Sequence, residues 1–145
     1  MPRIPINGTC MNIEVIGTGP PIVALHGFTG SLETWESFAA AARGYYTVVL
    51  VDMLGHGLSD APSDPERYCM ERCIQDLVAL LDYLGFKRVH WLGYSMGGRV
   101  ALSAAVALPG RTATLIAESA SPGLATAQER ATRVQEDARL ADWLE

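Results

Sequence analysis

Gly93-Tyr94-Ser95-Met96-Gly97 sets a serine between small residues, behind the apolar run Val89–Leu92 and ahead of the Ala-rich run Gly97–Leu108. A strand that turns sharply into a helix holds its central residue at the tip, and flanking glycines let the chain turn. The Ser95 hydroxyl then sits at a helix N-terminus, where the dipole favours developing negative charge. Such a serine can act as a nucleophile or as a proton acceptor.

A second segment, His26-Gly27-Phe28-Thr29-Gly30, directly follows the apolar run Pro21–Leu25. A loop in that place can offer a backbone N–H to an oxyanion, with a second from the residue after the serine. The donors would be Phe28 and Met96. Because they act through the backbone, their side chains are free to vary. His26 is expected to anchor its loop rather than to do chemistry. A third segment, Asp52-Met53-Leu54-Gly55-His56-Gly57-Leu58-Ser59, follows the run Tyr45–Val51. Its glycines suit a turn, and Asp52 and His56 are expected to bond within that loop. A serine also needs a base. His26, His56 and His90 all precede Ser95 and none follows it.

These segments need a scaffold of alternating strands and helices. Asn7-Gly8 reads as a hairpin turn leading into a strand at Asn12–Ile16. Pro21–Leu25 and Tyr45–Val51 read as buried strands, and Val89–Leu92 and Ala113–Glu118 as further strands. Leu32–Arg43, Met70–Leu84, Gly97–Leu108 and Gln128–Leu144 read as helices, and Asp52–Pro65 as loop. The order implies an α/β fold, a mostly parallel sheet with helices on both faces.

Composition narrows the function. The 11 Lys and Arg against 16 Asp and Glu give a net charge of −5, without a basic run. That balance offers nothing to nucleic acid or to an anionic membrane. No apolar stretch reaches the length of a membrane span and the start is not a signal peptide, so the expectation is a soluble cytoplasmic protein. Cys10, Cys69 and Cys73 lack a histidine cluster and read as reduced packing thiols, with no metal site. Cys69 and Cys73 are expected on one helix face.

Together the three segments resemble the α/β-hydrolase superfamily, in its order and spacing, over about the first half of the family's usual domain. The resemblance implies residues 1–122 as the N-terminal part of the core and 123–145 as the start of a helical cap. It also implies that the triad acid and histidine lie on later strands, outside this chain. More specifically, Gly93–Arg99, Ser119-Ala120-Ser121-Pro122-Gly123-Leu124 and Glu129-Arg130-Ala131-Thr132-Arg133 resemble the 2-succinyl-6-hydroxy-2,4-cyclohexadiene-1-carboxylate synthases of menaquinone biosynthesis. Tyr94, Ser95, Arg99, Arg130 and Arg133 match that family's positions. The resemblance implies a lyase that removes a ring proton and eliminates pyruvate, with Ser95 as base. Arginine forks recognise carboxylates bidentately, so Arg99, Arg130 and Arg133 suit a small polycarboxylate substrate. No cofactor is implied. Read without the resemblance, these arginines are a solvated, ion-paired helix face. Two other readings are a serine esterase or carbon–carbon bond hydrolase of the same fold, and an inactive fragment or binding module. An open edge at Ala113–Glu118 suggests self-association, or pairing with a second polypeptide holding the remainder.

Overall fold

The computed structural model describes residues 2–144. Met1 and Glu145, the outer ends of the two expected units, lie outside the described residues. Among the described residues six strands form one sheet: β1 (Arg3–Ile6), β2 (Thr9–Gly17), β3 (Pro21–Leu25), β4 (Thr47–Val51), β5 (Val89–Tyr94) and β6 (Thr112–Glu118), in the order β1-β2-β4-β3-β5-β6. The pairs β3–β4, β3–β5 and β5–β6 are parallel, and β1–β2 and β2–β4 antiparallel. The helices are α1 (Glu36–Ala42), α2 (Met70–Leu84), α3 (Met96–Ala107) and α4 (Ala127–Leu144).

The period of two explains the layering. In β3, Val23 and Leu25 face one side while Ile22 and Ala24 face the other; in β4, Val49 and Val51 oppose Val48 and Leu50. The first set packs with Trp91 of β5, with Leu77, Leu80 and Leu81 of α2, and with Val100, Ala101 and Ala104 of α3. The second packs with Leu32, Trp35 and Ala39. Strands buried on both faces need apolar residues at every position, which is why these runs do not alternate.

Three local departures from expectation have physical reasons. The strand β1 was not foreseen, because Pro5 and a length of four residues weaken its pattern; it is an edge strand, where proline is tolerated. The expected turn at Asn7-Gly8 closes it onto β2, with both residues at positive φ. The helix expected over Leu32–Arg43 is split: a 3-10 turn at Leu32–Trp35, begun by the Ser31 hydroxyl accepting from Glu33 N–H, precedes α1. Cys69 and Cys73 do not share a helix face, since Cys69 is the residue before α2. Cys73 is inside α2, and burial pushes its thiol up to about 12. All three cysteines are free thiols.

Two buried carboxylates tie loops to the sheet. Asp76 of α2 takes the Asn7 amide at 2.9 Å and the Arg67 guanidinium at 3.2 Å, so the β1–β2 turn is fastened to α2. Asp52, at the end of β4 and 2% exposed, accepts from Leu32 N–H at 2.7 Å, Leu58 N–H at 2.9 Å and Asn12 Nδ2 at 2.8 Å. Its reach is wider than the loop in which it was expected to bond, for it joins the loops after β3 and β4 to β2. Gly57 is required beside it, because a Cβ there would lie 2.1 Å from the carboxylate.

Replacing Asp52 by alanine leaves these three N–H groups without their acceptor. Each orphaned buried donor costs about 1–3 kcal/mol, so urea denaturation of Asp52→Ala should show a loss of roughly 3–5 kcal/mol. A loss below about 1 kcal/mol would mean that water replaces the carboxylate without penalty.

Candidate active site

Ser95 sits between β5 and α3 with φ 51° and ψ −114°, in a region that side chains other than glycine rarely occupy. The surroundings hold it there. Its N–H donates to Glu118 O at 2.9 Å, at the end of β6, and its carbonyl accepts from Arg99 N–H at 3.0 Å, opening α3. Its hydroxyl makes no capping bond to the helix, so the oxygen is left for other partners. The turn requires bare backbone at three places. A Cβ on Gly93 would lie 2.2 Å from Gly97 O, one on Gly97 2.2 Å from Leu25 O, and one on Gly98 2.6 Å from the Ala120 side chain. Helix α3 therefore begins in backbone contact with the end of β3.

That contact brings the loop after β3 to Ser95. A cavity of about 600 Å³ is lined by Phe28, Ser95, Met96, Arg99, Ser119, Ser121 and the inner face of α4, including Arg133 and Asp137. Met96 is the first residue of α3, and the leading N–H groups of a helix have no acceptor within it. Phe28 and Met96 are thus on the wall where the oxyanion donors were expected. Arg99 reaches the same wall from the first turn of α3.

The remaining expected residues divide. Arg133 lines the cavity but pairs with Asp137 at 2.8 Å, both side chains more than half exposed. A pair so exposed is screened by solvent, and the arginine can exchange Asp137 for another carboxylate. Arg130 is not in this wall among the described residues. Its guanidinium donates to the Leu124 and Ala125 carbonyls at 3.0 and 3.1 Å, fastening the start of α4. Tyr94 is also outside the wall; it is 40% exposed and its ring packs over Gly27, where a Cβ would lie 3.0 Å from Cδ1. Ser119 and Ser121 line the cavity without having been singled out as site residues. Ser119 directly follows β6 at φ 51°, and its position at the C-terminal end of a parallel strand was the available signal.

His26 is wholly buried, with a partner on each ring nitrogen. Its Nε2 accepts from Met53 N–H at 3.1 Å, so the proton resides on Nδ1, which donates to Gly27 O at 2.7 Å. The neutral ring thus pins the Phe28 loop to the segment after β4, as an anchor should. Burial, more than its neighbours, lowers its basicity.

Residues 20–143 match the model of the alpha/beta hydrolase fold. The chain belongs to the α/β-hydrolase family. It is 42% identical over 123 residues to a protein of Bacillus subtilis (strain 168) provisionally named 2-succinyl-6-hydroxy-2,4-cyclohexadiene-1-carboxylate synthase, covering 85% of this chain and 44% of that one. It is 33% identical to epoxide hydrolase 2 of Siraitia grosvenorii, over 78% of this chain and 36% of that one. A crystal structure of an epoxide hydrolase from Vigna radiata superposes with a TM-score of 0.76 at 27% identity, over 79% of this chain and 37% of that one. The chain thus spans less than half the length of these relatives.

The buried neutral His26 makes stability depend on pH. Its folded-state pKa lies below the ordinary value of 6.5, so on acidification the unfolded chain takes up that proton first. Stability should therefore fall as the pH drops below 6.5, until His26 protonates within the fold. Thermal unfolding between pH 8 and pH 5 should show a shallower acid decline in His26→Gln than in the parent. Parallel declines would remove His26 as the cause.

Proposed function

We propose that this chain carries the serine half of a pyruvate-eliminating lyase acting on a cyclic polycarboxylate. The reaction would convert 2-succinyl-5-enolpyruvyl-6-hydroxy-3-cyclohexene-1-carboxylate to 2-succinyl-6-hydroxy-2,4-cyclohexadiene-1-carboxylate. The observation that carries the reading is the cavity where Ser95, Arg99 and Arg133 meet the Phe28 loop, in a chain 42% identical to a relative named for that reaction. In this account Ser95 Oγ takes a proton from a ring carbon. The electron pair shifts through the ring, and the bond between ring carbon and enolpyruvyl oxygen breaks. The departing enolate takes up a proton and leaves as pyruvate. The N–H groups of Phe28 and Met96 stabilise the negative charge that develops on the substrate. Arg99 and Arg133 hold its carboxylates. Arg130 contributes by fixing the start of α4, a role closer than direct contact to its observed bonds. Residues 123–145 would then form the start of a cap over the site.

The histidine and acid that would activate Ser95 come, on this reading, from outside these 145 residues. They would arrive in the same polypeptide or in a second one, whereas self-association would cover the open edge without supplying them. The sheet offers a place: β6 forms one edge, and its Ile116 is 59% exposed. The second reading, a hydrolase of the same family, draws support from the similarity to epoxide hydrolases. Product identity separates the two.

The test is pyruvate release from the enolpyruvyl substrate by protein reconstituted with the remaining segments. Pyruvate should form, Ser95→Ala should abolish it, and Arg99→Ala should lower kcat/KM about ten- to hundredfold. That range corresponds to losing one charged hydrogen bond of about 1.5–3 kcal/mol. Hydrolysis products without pyruvate would favour the second reading. An effect under about twofold at Arg99 would end its role as a carboxylate clamp.

A further inference from the structure

His56 is placed between two loops with a carbonyl at each ring nitrogen. Its Nδ1 lies 3.1 Å from Leu54 O, in its own loop after β4, and its Nε2 is hydrogen-bonded to Phe28 O, in the loop after β3. Its backbone is fixed as well, with His56 N–H donating to Met53 O at 3.0 Å and His56 O accepting from Ser59 N–H at 3.1 Å. A carbonyl oxygen can only accept. A neutral imidazole carries one N–H, so it satisfies one of these carbonyls and turns a lone pair towards the other. Only the imidazolium, with two N–H groups, satisfies both. This differs from His26, whose partners are one donor and one acceptor and which therefore fits as the neutral ring.

We propose that His56 is a positioning residue for the oxyanion donor: as the imidazolium it ties Leu54 O to Phe28 O, the carbonyl of the Phe28–Thr29 peptide, and so restrains the residue whose own N–H is offered to the Ser95 cavity. The proposal rests on the reading of Phe28 as a donor in the reaction above. It also takes His56 beyond the bonds within its own loop that its motif suggested. Loss of its proton sets a nitrogen lone pair against one carbonyl. The strap to Phe28 then weakens, and the loop becomes free to move away from Met96.

The groups facing His56 are compatible with a single cation. From the end of β3, the His26 ring is 4.9 Å away between centroids and neutral. The Phe28 ring stands edge-on at 6.0 Å. From the end of β4, the Asp52 carboxylate supplies negative charge near His26 while engaged by its own three donors. Across the apolar cavity that His56 also lines, Arg67 and Asp76 neutralise each other at 3.2 Å, and Tyr68 and Cys73 complete the wall.

Ring-nitrogen and amide NMR of the ¹⁵N-labelled full chain between pH 5 and 8.5 tests this directly. At the acid end both His56 nitrogens should carry protons. The amide signals of Phe28 and Thr29 should shift with the same midpoint as the His56 ring, and that shift should vanish in His56→Asn. A His56 ring that stays singly protonated throughout would overturn the proposal. So would Phe28 and Thr29 signals that do not move, or that follow the His26 midpoint instead. The unmodified chain decides the matter even if the variant does not fold. Because the readout is the loop and not turnover, it is independent of the pyruvate assay. Absence of pyruvate with a coupled titration would discard the reaction and keep the strap. Pyruvate formation with an uncoupled titration would do the reverse.

Discussion

The site depends on one close approach, in which the start of α3 lies directly against the end of β3. Gly97 has no room for a single carbon beyond its Cα, because the carbonyls of Leu25 and His26 occupy that space. Two consequences follow from the same contact. The chain between β5 and α3 is forced through a tight turn, which holds Ser95 at positive φ with its hydroxyl free of the helix. The loop that leaves β3 is also brought beside the first N–H groups of α3. A serine hydroxyl, a helix N-terminus and the Phe28 peptide therefore converge because two backbones touch.

Polar groups then hold the loops that packing alone would leave loose. Asp52 collects donors from three separate segments, and Asp76 fastens the β1–β2 turn to α2. His26 and His56 each make one contact between the loops after β3 and β4, with Met53 N–H and with Phe28 O. Buried polar groups are costly unless satisfied, so each of these residues specifies one loop arrangement against others. By contrast α4 is exposed along its described length and is held mainly at its start, where Thr126 and Glu129 form a reciprocal cap and Arg130 bonds the preceding carbonyls. The floor of the cavity is rigid by construction, whereas its α4 wall stands apart from the core.

Legibility in the sequence tracked the kind of constraint. The inner strands were readable because burial on both faces demands continuous apolar residues, as in Pro21–Leu25 and Thr47–Val51. Ser95 was readable because the glycines around it have no other local use. The edge strand β1 was not, since one buried face and a proline leave little pattern. Nor was the direction of Arg130, which is decided by two carbonyls in the preceding turn that no periodicity encodes. The reach of Asp52 and His56 was underestimated for a related reason. Their motif announces a turn, but their partners Asn12, Leu32 and Phe28 lie far away in sequence and meet them only once the sheet has formed.

The contact between α3 and β3 is tested most directly by thermal unfolding of Gly97→Ala beside Gly110→Ala. A Cβ at Gly110 meets no atom within 4 Å, so that variant controls for the added methyl group. Gly110→Ala should melt close to the parent, while Gly97→Ala should fail to fold or melt many degrees lower. A Gly97→Ala protein that melts with the parent would contradict the account, because the site would then not depend on this contact.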